Sequence, residues 1–166
     1  MPPFAIVKMV NYMELYRERI KIIDFPVMIK KRYIKEIRKD FYQVCANFIF
    51  EEKPEVVIFA ATNFSNFSST LLIAEKLKVM SDNIKVIFGG AHSTIHAQYI
   101  ISKFPFVDYI VLGRNVENTV KLIYSLIEKK TIEDIPSIYG RNTKKKYVVN
   151  FTNGDTTNVT CILGLT

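Results

Sequence analysis

The chain is expected to fold as an α/β protein in three layers, a parallel sheet with helices on both faces, followed by a small hairpin. Two observations predict this. Short, β-branched, apolar runs alternate with longer segments of helical period, the pattern of repeated strand–helix–strand units. The runs are also mostly apolar instead of alternating, as strands buried on both faces require.

Four runs read as strands: Ile20 to Asp24, Glu55 to Ala61, Ile84 to Phe88 and Val107 to Leu112. All four are expected to lie parallel, joined by right-handed crossovers. Ile6, Met9, Val10 and Met13 fall at helical spacing ahead of the first strand. Tyr33, Ile34, Ile37, Phe41, Val44, Cys45 and Phe48 make one long stripe after it, which marks Cys45 as core rather than nucleophile. Leu71, Leu72, Ala74, Leu77 and Val79 define a third helix, His92 to Lys103 a fourth, and Val120, Leu122, Ile123, Leu126 and Ile127 a fifth. The fifth closes on Glu128-Lys129-Lys130, basic charge that suits a helix C-terminus.

After Pro136 the pattern changes. Ser137 to Arg141 and Lys146 to Phe151 read as a hairpin around a Lys-rich turn, the one place where antiparallel pairing is expected. Thr152 to Thr166 is polar and weakly patterned and is expected to be a flexible tail. The division is therefore 1–136 for the α/β domain, 137–151 for the hairpin and 152–166 for the tail.

At 166 residues and 49% hydrophobic content the chain supports one packed core and is too short for two full domains. No stretch approaches the roughly 18 to 20 apolar residues that cross a bilayer. Met1-Pro2-Pro3 also lacks a secretory start, so a cytoplasmic protein without a membrane partner is expected. Cys45 and Cys161 stand far apart with no second ligand at metal spacing, which argues against a disulfide framework or a zinc site. The Asn-x-Ser/Thr triplets at Asn63, Asn66, Asn150 and Asn158 are read as products of composition. The formal charge of +7 resides partly in Lys30, Lys31, Arg32, Lys35, Arg38 and Lys39, interleaved with Glu36 and Asp40, and in Lys144 to Lys146. That distribution reads as a solvated face, and a nucleic-acid partner is not expected.

Ligands of open α/β sheets settle beyond the carboxyl ends of the strands, where loops diverge and helix N-termini present N–H groups. Three loops qualify: Ala60-Ala61-Thr62-Asn63, Gly89-Gly90-Ala91-His92-Ser93 and Gly113-Arg114-Asn115-Val116-Glu117. Ala60, Ala61, Gly89 and Gly90 leave room for a flat or elongated group to approach the backbone, although any one glycine after a strand also serves simply to turn the chain. His92 and His96 are four apart, but no acidic partner lies between them, so no metal ligand is assigned; His92 is expected to face the slot and His96 the exposed helix face.

These residues resemble a family. Pro54-Glu55-Val56-Val57-Ile58-Phe59-Ala60, Ile84-Lys85-Val86-Ile87-Phe88-Gly89-Gly90-Ala91-His92 and Phe106-Val107-Asp108-Tyr109-Ile110-Val111-Leu112-Gly113 are similar to the cobalamin-binding domain ahead of the catalytic barrel of radical S-adenosylmethionine enzymes. The likeness runs on through Glu117 to Ile132-Glu133-Asp134-Ile135-Pro136-Ser137 and covers roughly residues 54 to 151. It implies a flavodoxin-like order of five parallel strands and a cobalamin whose nucleotide tail enters past Gly89 and Gly90. It further implies contacts from Ala60, Ala61, Thr62, Asn63, His92 and Ser93, and from Gly113, Arg114, Asn115 and Glu117 in the last loop. S-adenosylmethionine and an iron–sulfur cluster would belong to a catalytic half that is the expected partner; no Cys-x-x-x-Cys-x-x-Cys occurs among residues 1–166.

The chain departs from that family at three points. Gly113-Arg114-Asn115-Val116-Glu117 stands where a Gly-Glu-Gly-Glu loop is usual, replacing an acid by a base. The Asp-x-His-x-x-Gly motif that gives cobalt a histidine ligand in mutases is absent, so cobalt is expected to carry no protein histidine. Finally, Pro2 to Tyr16 resembles the family's first helix and Arg19 to Phe25 its second strand, so the first strand has no clear counterpart. The alternative to a cofactor-binding module is a degenerate flavodoxin-like domain that positions a substrate or partner without cofactor.

Overall fold

The computed structural model describes residues 4–31, 33–34, 40–61, 64–130, 132, 135–142 and 162–165. Its strands are β1 (Ile20–Ile23), β2 (Val56–Ala60), β3 (Lys85–Gly89), β4 (Tyr109–Val111), β5 (Ile138–Gly140) and β6 (Ile162–Leu165). They form one sheet in the order β1-β6-β2-β3-β4-β5. β2, β3 and β4 pair in parallel, with Phe59 opposite Phe88 and Gly89 opposite Val111. β6 lies antiparallel to both β1 and β2, so those two run the same way on either side of it. β5 pairs antiparallel with β4 at the other edge.

The helices are α1 (Phe4–Tyr12), α2 (Phe25–Lys30), α3 (Phe41–Glu51), α4 (Phe64–Met80), α5 (Ala91–Ile95), α6 (Ala97–Lys103) and α7 (Val116–Ile127), with a 3-10 turn at Glu14–Arg19. Every step from β1 to β2 to β3 to β4 moves across the sheet in one direction, and right-handed crossovers then place all intervening helices on one face. Cys45, Ala46 and Ile49 of α3, Ile73, Ala74 and Leu77 of α4 and Ile100 of α6 accordingly share a core with Val57, Phe59, Val86, Phe88 and Ile110. Ile6 and Met9 of α1 and Val120, Leu122 and Ile123 of α7 pack on the opposite face, against Val56, Ile58, Ile87 and Val111. Successive residues of β2 and β3 thus supply alternate layers, as the two-residue strand period dictates. Among the described residues no helix is long and apolar enough to cross a membrane.

The expected three-layer α/β class is the observed one, and the four expected strands are present and co-directional. Several details differ. Asp24 leaves β1 to cap α2, its carboxylate accepting from Val27 N at 3.1 Å, with a proline in the first turn. The stripe from Tyr33 to Phe48 is not one helix: Tyr33 and Ile34 lie in bends, and α3 begins at Phe41. The helix from His92 to Lys103 breaks at His96, which closes α5 and opens α6. The first arm of the expected hairpin is β5, but its partner is β4; the second arm, Lys146 to Phe151, lies outside the described residues. Antiparallel pairing is therefore not confined to a hairpin, and residues 162–165, expected in a flexible tail, form the strand between β1 and β2. The implied five-stranded parallel sheet is thus a six-stranded mixed one, because this lane is filled from the far end of the chain.

Asp108 holds the start of the parallel core. Its backbone N–H donates to Val86 O at 2.9 Å and its carboxylate accepts from Val86 N at 2.7 Å, so a side chain extends the ladder between β3 and β4. The Lys78 ammonium lies 3.0 Å from the same oxygen, and both side chains are largely buried. Arg141, beyond β5, donates to the carbonyls of Ile101, Phe104 and Val107 and so ties the end of α6 to the sheet. Burial pushes the Cys45 thiol up to about 12, which leaves it protonated and unreactive, as expected of a core cysteine.

The largest fully buried side chains are Phe59 and Phe88, stacked with centroids 5.1 Å apart across the β2–β3 register. Phe59→Ala removes one member of this pair, and truncation of a buried aromatic costs about 3–5 kcal/mol. Urea unfolding followed by circular dichroism is expected to show a loss of that size; a change within experimental error would contradict this packing.

Candidate functional site

The carboxyl ends of β2, β3 and β4 lie side by side, and the three loops singled out from the sequence leave from this edge. Ala61 N donates to Gly89 O at 2.7 Å, which carries the parallel pairing one residue past β2. Ala61 is fully buried, and Ala60, Gly89 and Gly90 are half-buried. Thr62 and Asn63 lie outside the described residues.

The two glycines after β3 act differently. Gly90 sits at φ 113 and ψ 171, a backbone region that essentially only glycine enters, so its role is conformational. Gly89 has no such constraint: a Cβ there would meet only the Val111 Cβ, at 4.0 Å. Gly113, at φ 69, has nothing within 4 Å of a Cβ position and is exposed. The backbone along β3 and β4 is therefore approachable from outside the sheet.

Hydroxyl groups lock the loops together. Gly90 O accepts from Ser93 Oγ at 3.1 Å, from Thr94 Oγ1 at 2.8 Å and from Thr94 N at 3.0 Å. Thr94 Oγ1 also accepts from Gly113 N at 3.0 Å, so one buried hydroxyl joins the loop after β3 to the loop after β4. Asn115 caps α7 by accepting from Asn118 N at 3.2 Å and donates to Ser137 Oγ at 3.3 Å. Arg114 and Glu117 are exposed on the same rim, Glu117 in the first turn of α7 where its charge suits the helix dipole.

His92 is half-buried and forms the aromatic side of the edge. Its ring lies 4.8 Å from Phe67, 5.8 Å from Phe64 and 4.7 Å from His96, between centroids. Phe64 and His96 are exposed. Burial, and then the proximity of His96, lower the His92 pKa below its ordinary 6.5, so the ring is neutral at neutral pH. Among the described residues no group of three or more His, Cys, Asp or Glu side chains could hold a metal ion.

The sequence reading brought Ala60, Ala61, Gly89, Gly90, His92, Ser93, Gly113, Arg114, Asn115 and Glu117 to this edge. It missed Thr94, Phe64 and Phe67. Thr94 stands beside Ser93 but acts on Gly113, a contact that spacing alone does not reveal; Phe64 and Phe67 were hidden among the polar residues that open α4. A cavity of about 210 Å³ between Phe50, Lys53, Pro54, Ser81 and Ile84 lies at the amino-terminal ends of β2 and β3, the opposite edge. It is smaller than the roughly 300–1,000 Å³ of ordinary ligand pockets, and the glycine edge is the better candidate.

The chain is thus a three-layer α/β domain whose carboxyl edge, where ligands of open sheets settle, is lined by glycines. A family model described as "B12 binding domain" matches residues 10–123, and the chain belongs to that family. No curated protein matches the chain. Family membership implies cobalamin, and the described edge fits an elongated group: Gly89 and Gly113 leave its backbone open, and Phe64 and His92 offer aromatic surface, with the buried Phe67 behind His92.

Thr94→Val keeps the shape of the side chain but removes both the acceptor of Gly113 N–H and the donor to Gly90 O, and hydrogen bonds of this kind contribute about 0.5–1.5 kcal/mol each. Chemical denaturation is expected to show that loss, with faster amide exchange at Gly113; unchanged exchange would remove Thr94 as the link. For His92 the sign runs one way. A folded pKa below 6.5 means the unfolded chain binds the proton more readily, so the contribution of this group is intact above 6.5 and is lost as pH falls through the folded value. In NMR titrations, His96→Ala is expected to raise the His92 pKa towards 6.5 without reaching it, since burial remains; a lower value in the variant would refute the coupling.

Proposed function

We propose that the chain binds cobalamin with its lower base off the cobalt and presents it to a radical S-adenosylmethionine catalytic half formed by other residues. The observation that carries this reading is the joint opening of the backbone at Gly89 and Gly113 beside an aromatic wall. S-adenosylmethionine and the iron–sulfur cluster belong to the other half. When bound, cobalamin supplies a redox-active cobalt centre. The residues of this chain do the binding: the Gly89–Gly90 edge admits the nucleotide tail, and Phe64 and His92 face its aromatic base, with Phe67 packed behind His92. Arg114 and Asn115 stand at the rim where the phosphate or amide arms pass. The Thr94 hydroxyl keeps the two glycine loops at fixed separation, so the opening is preformed.

Mixing the protein with hydroxocobalamin and recording the visible spectrum after desalting tests the reading, and a retained chromophore is the expected result. Gly89→Val is the discriminating variant, because a Cβ at Gly89 clears the protein itself while filling the approach path. It is expected to weaken retention at least tenfold with the far-ultraviolet spectrum unchanged. Full retention in this variant would take Gly89 out of the site.

The histidines provide a second test. His92 and His96 are the only two in the chain, and both follow Gly90 on the α5–α6 segment. His92 is held beside the rings of Phe67, Phe64 and His96 at the start of α5, and we assign it to the nucleotide tail, with which it can share a hydrogen bond, instead of to cobalt. Electron paramagnetic resonance of the cobalt(II) form is expected to show no nitrogen splitting from the protein. Splitting that disappears in His92→Ala would overturn this assignment.

A further inference from the structure

His92 and His96 are the chain's only histidines, and the structure sets their rings against each other with centroids 4.7 Å apart. The backbone fixes this meeting. His96 N donates to His92 O at 3.2 Å, so the two residues stand a helical turn apart on the same face. That turn is anchored at both ends: Ser93 and Thr94 hold Gly90 O, and Ile100 N donates to His96 O at 2.9 Å as α6 begins. The buried Phe67 supports the ring of His92 from behind, whereas His96 is exposed. Among the described residues, no hydrogen bond or ion pair engages a nitrogen of either ring.

We infer that this pair is a binding site for a divalent transition-metal ion of the zinc, nickel and copper class, held by one nitrogen of His92 and one of His96, with water in the remaining positions. The spacing of the rings supports it. Imidazole nitrogens bind such ions at about 2.0–2.1 Å, which puts the ion about 3.2 Å from each ring centre. Two rings sharing an ion then have centres about 4.5 Å apart for bonds at a right angle and about 5.2 Å for a tetrahedral pair. The observed 4.7 Å lies between these values. Imidazole suits zinc, nickel and copper, whereas magnesium and calcium take oxygen ligands. The missing acid between the two histidines removes the general base of a metalloprotease pair and leaves the ligands, so the inference is of binding without hydrolysis. The site needs no cofactor and is independent of the cobalamin reading; where both ligands are present, they compete for His92.

The test is run without cobalamin. Tag-free, full-length protein is titrated with zinc chloride while the imidazole proton signals are followed by NMR, and the two histidines give two sets of signals to follow. Both sets are expected to move and to saturate together, and magnesium chloride is expected to move neither. In calorimetric titrations His96→Ala is expected to weaken zinc binding at least about tenfold, because the second ring otherwise binds intramolecularly at high effective concentration. His92→Ala is expected to do the same; should it fail to fold, the variant at the exposed His96 decides alone. Zinc that leaves the imidazole signals in place, or moves only one set, overturns the inference. So does a His96→Ala protein that binds zinc as tightly as the intact chain, or equal uptake when both histidines are replaced, which would trace the ion to adventitious ligands elsewhere.

Discussion

The structure depends on satisfying the outer edge of β2. This strand lies between two helical layers, with Val57 and Phe59 facing one and Val56 and Ile58 the other, so its backbone polar groups have no access to water on either face. One edge pairs with β3. The other must also be paired, and β6 does this while pairing β1 with its second edge. β1 in turn anchors the start of the crossover that returns through α3 to β2. Four residues at the end of the chain thereby determine whether the sheet continues to its first strand.

The same requirement explains what could be read from the sequence. β2, β3 and β4 were legible because burial on both faces makes a strand apolar throughout, and no helix-length segment of this chain has that composition. Long helices such as α4 and α7 were legible from their period. α2 was not, because Pro26 and the apolar run Phe25 to Ile29 look like the continuation of a strand until the Asp24 cap is seen. The stripe from Tyr33 to Phe48 keeps helical spacing across a bend, and a period cannot report a break that preserves its phase. β6 was least legible of all. Its few residues carry no pattern of their own, and its pairing depends on an unoccupied lane formed more than a hundred residues earlier in the chain.

At the candidate site the division is different. Glycines at strand ends are visible in sequence, but their separate roles are not: Gly90 is required for its backbone angles, whereas Gly89 adopts ordinary ones and leaves open space beside the strand. Asp108 belongs to the segment that carries the family likeness, yet its carboxylate faces Val86 N and Lys78 at the opposite end of β4. A motif can thus combine residues of the ligand edge with residues that only secure the strand leading to it.

The polar side chains of the edge are largely committed to one another. Ser93 and Thr94 hold Gly90 O, Thr94 also holds Gly113 N, and Asn115 holds Asn118 N and Ser137. These bonds fix loop positions, and breaking them to bind a ligand would leave buried groups unsatisfied. What this edge presents outward is open backbone at Gly89 and Gly113, the ring of Phe64 with His92 beside it, and the exposed rim at Arg114 and Glu117. A cofactor bound there as proposed would be selected by shape and stacking more than by a dense set of side-chain hydrogen bonds. The Thr94 link fixes the separation of the two glycine loops, and that separation is the dimension the proposed elongated ligand would have to match.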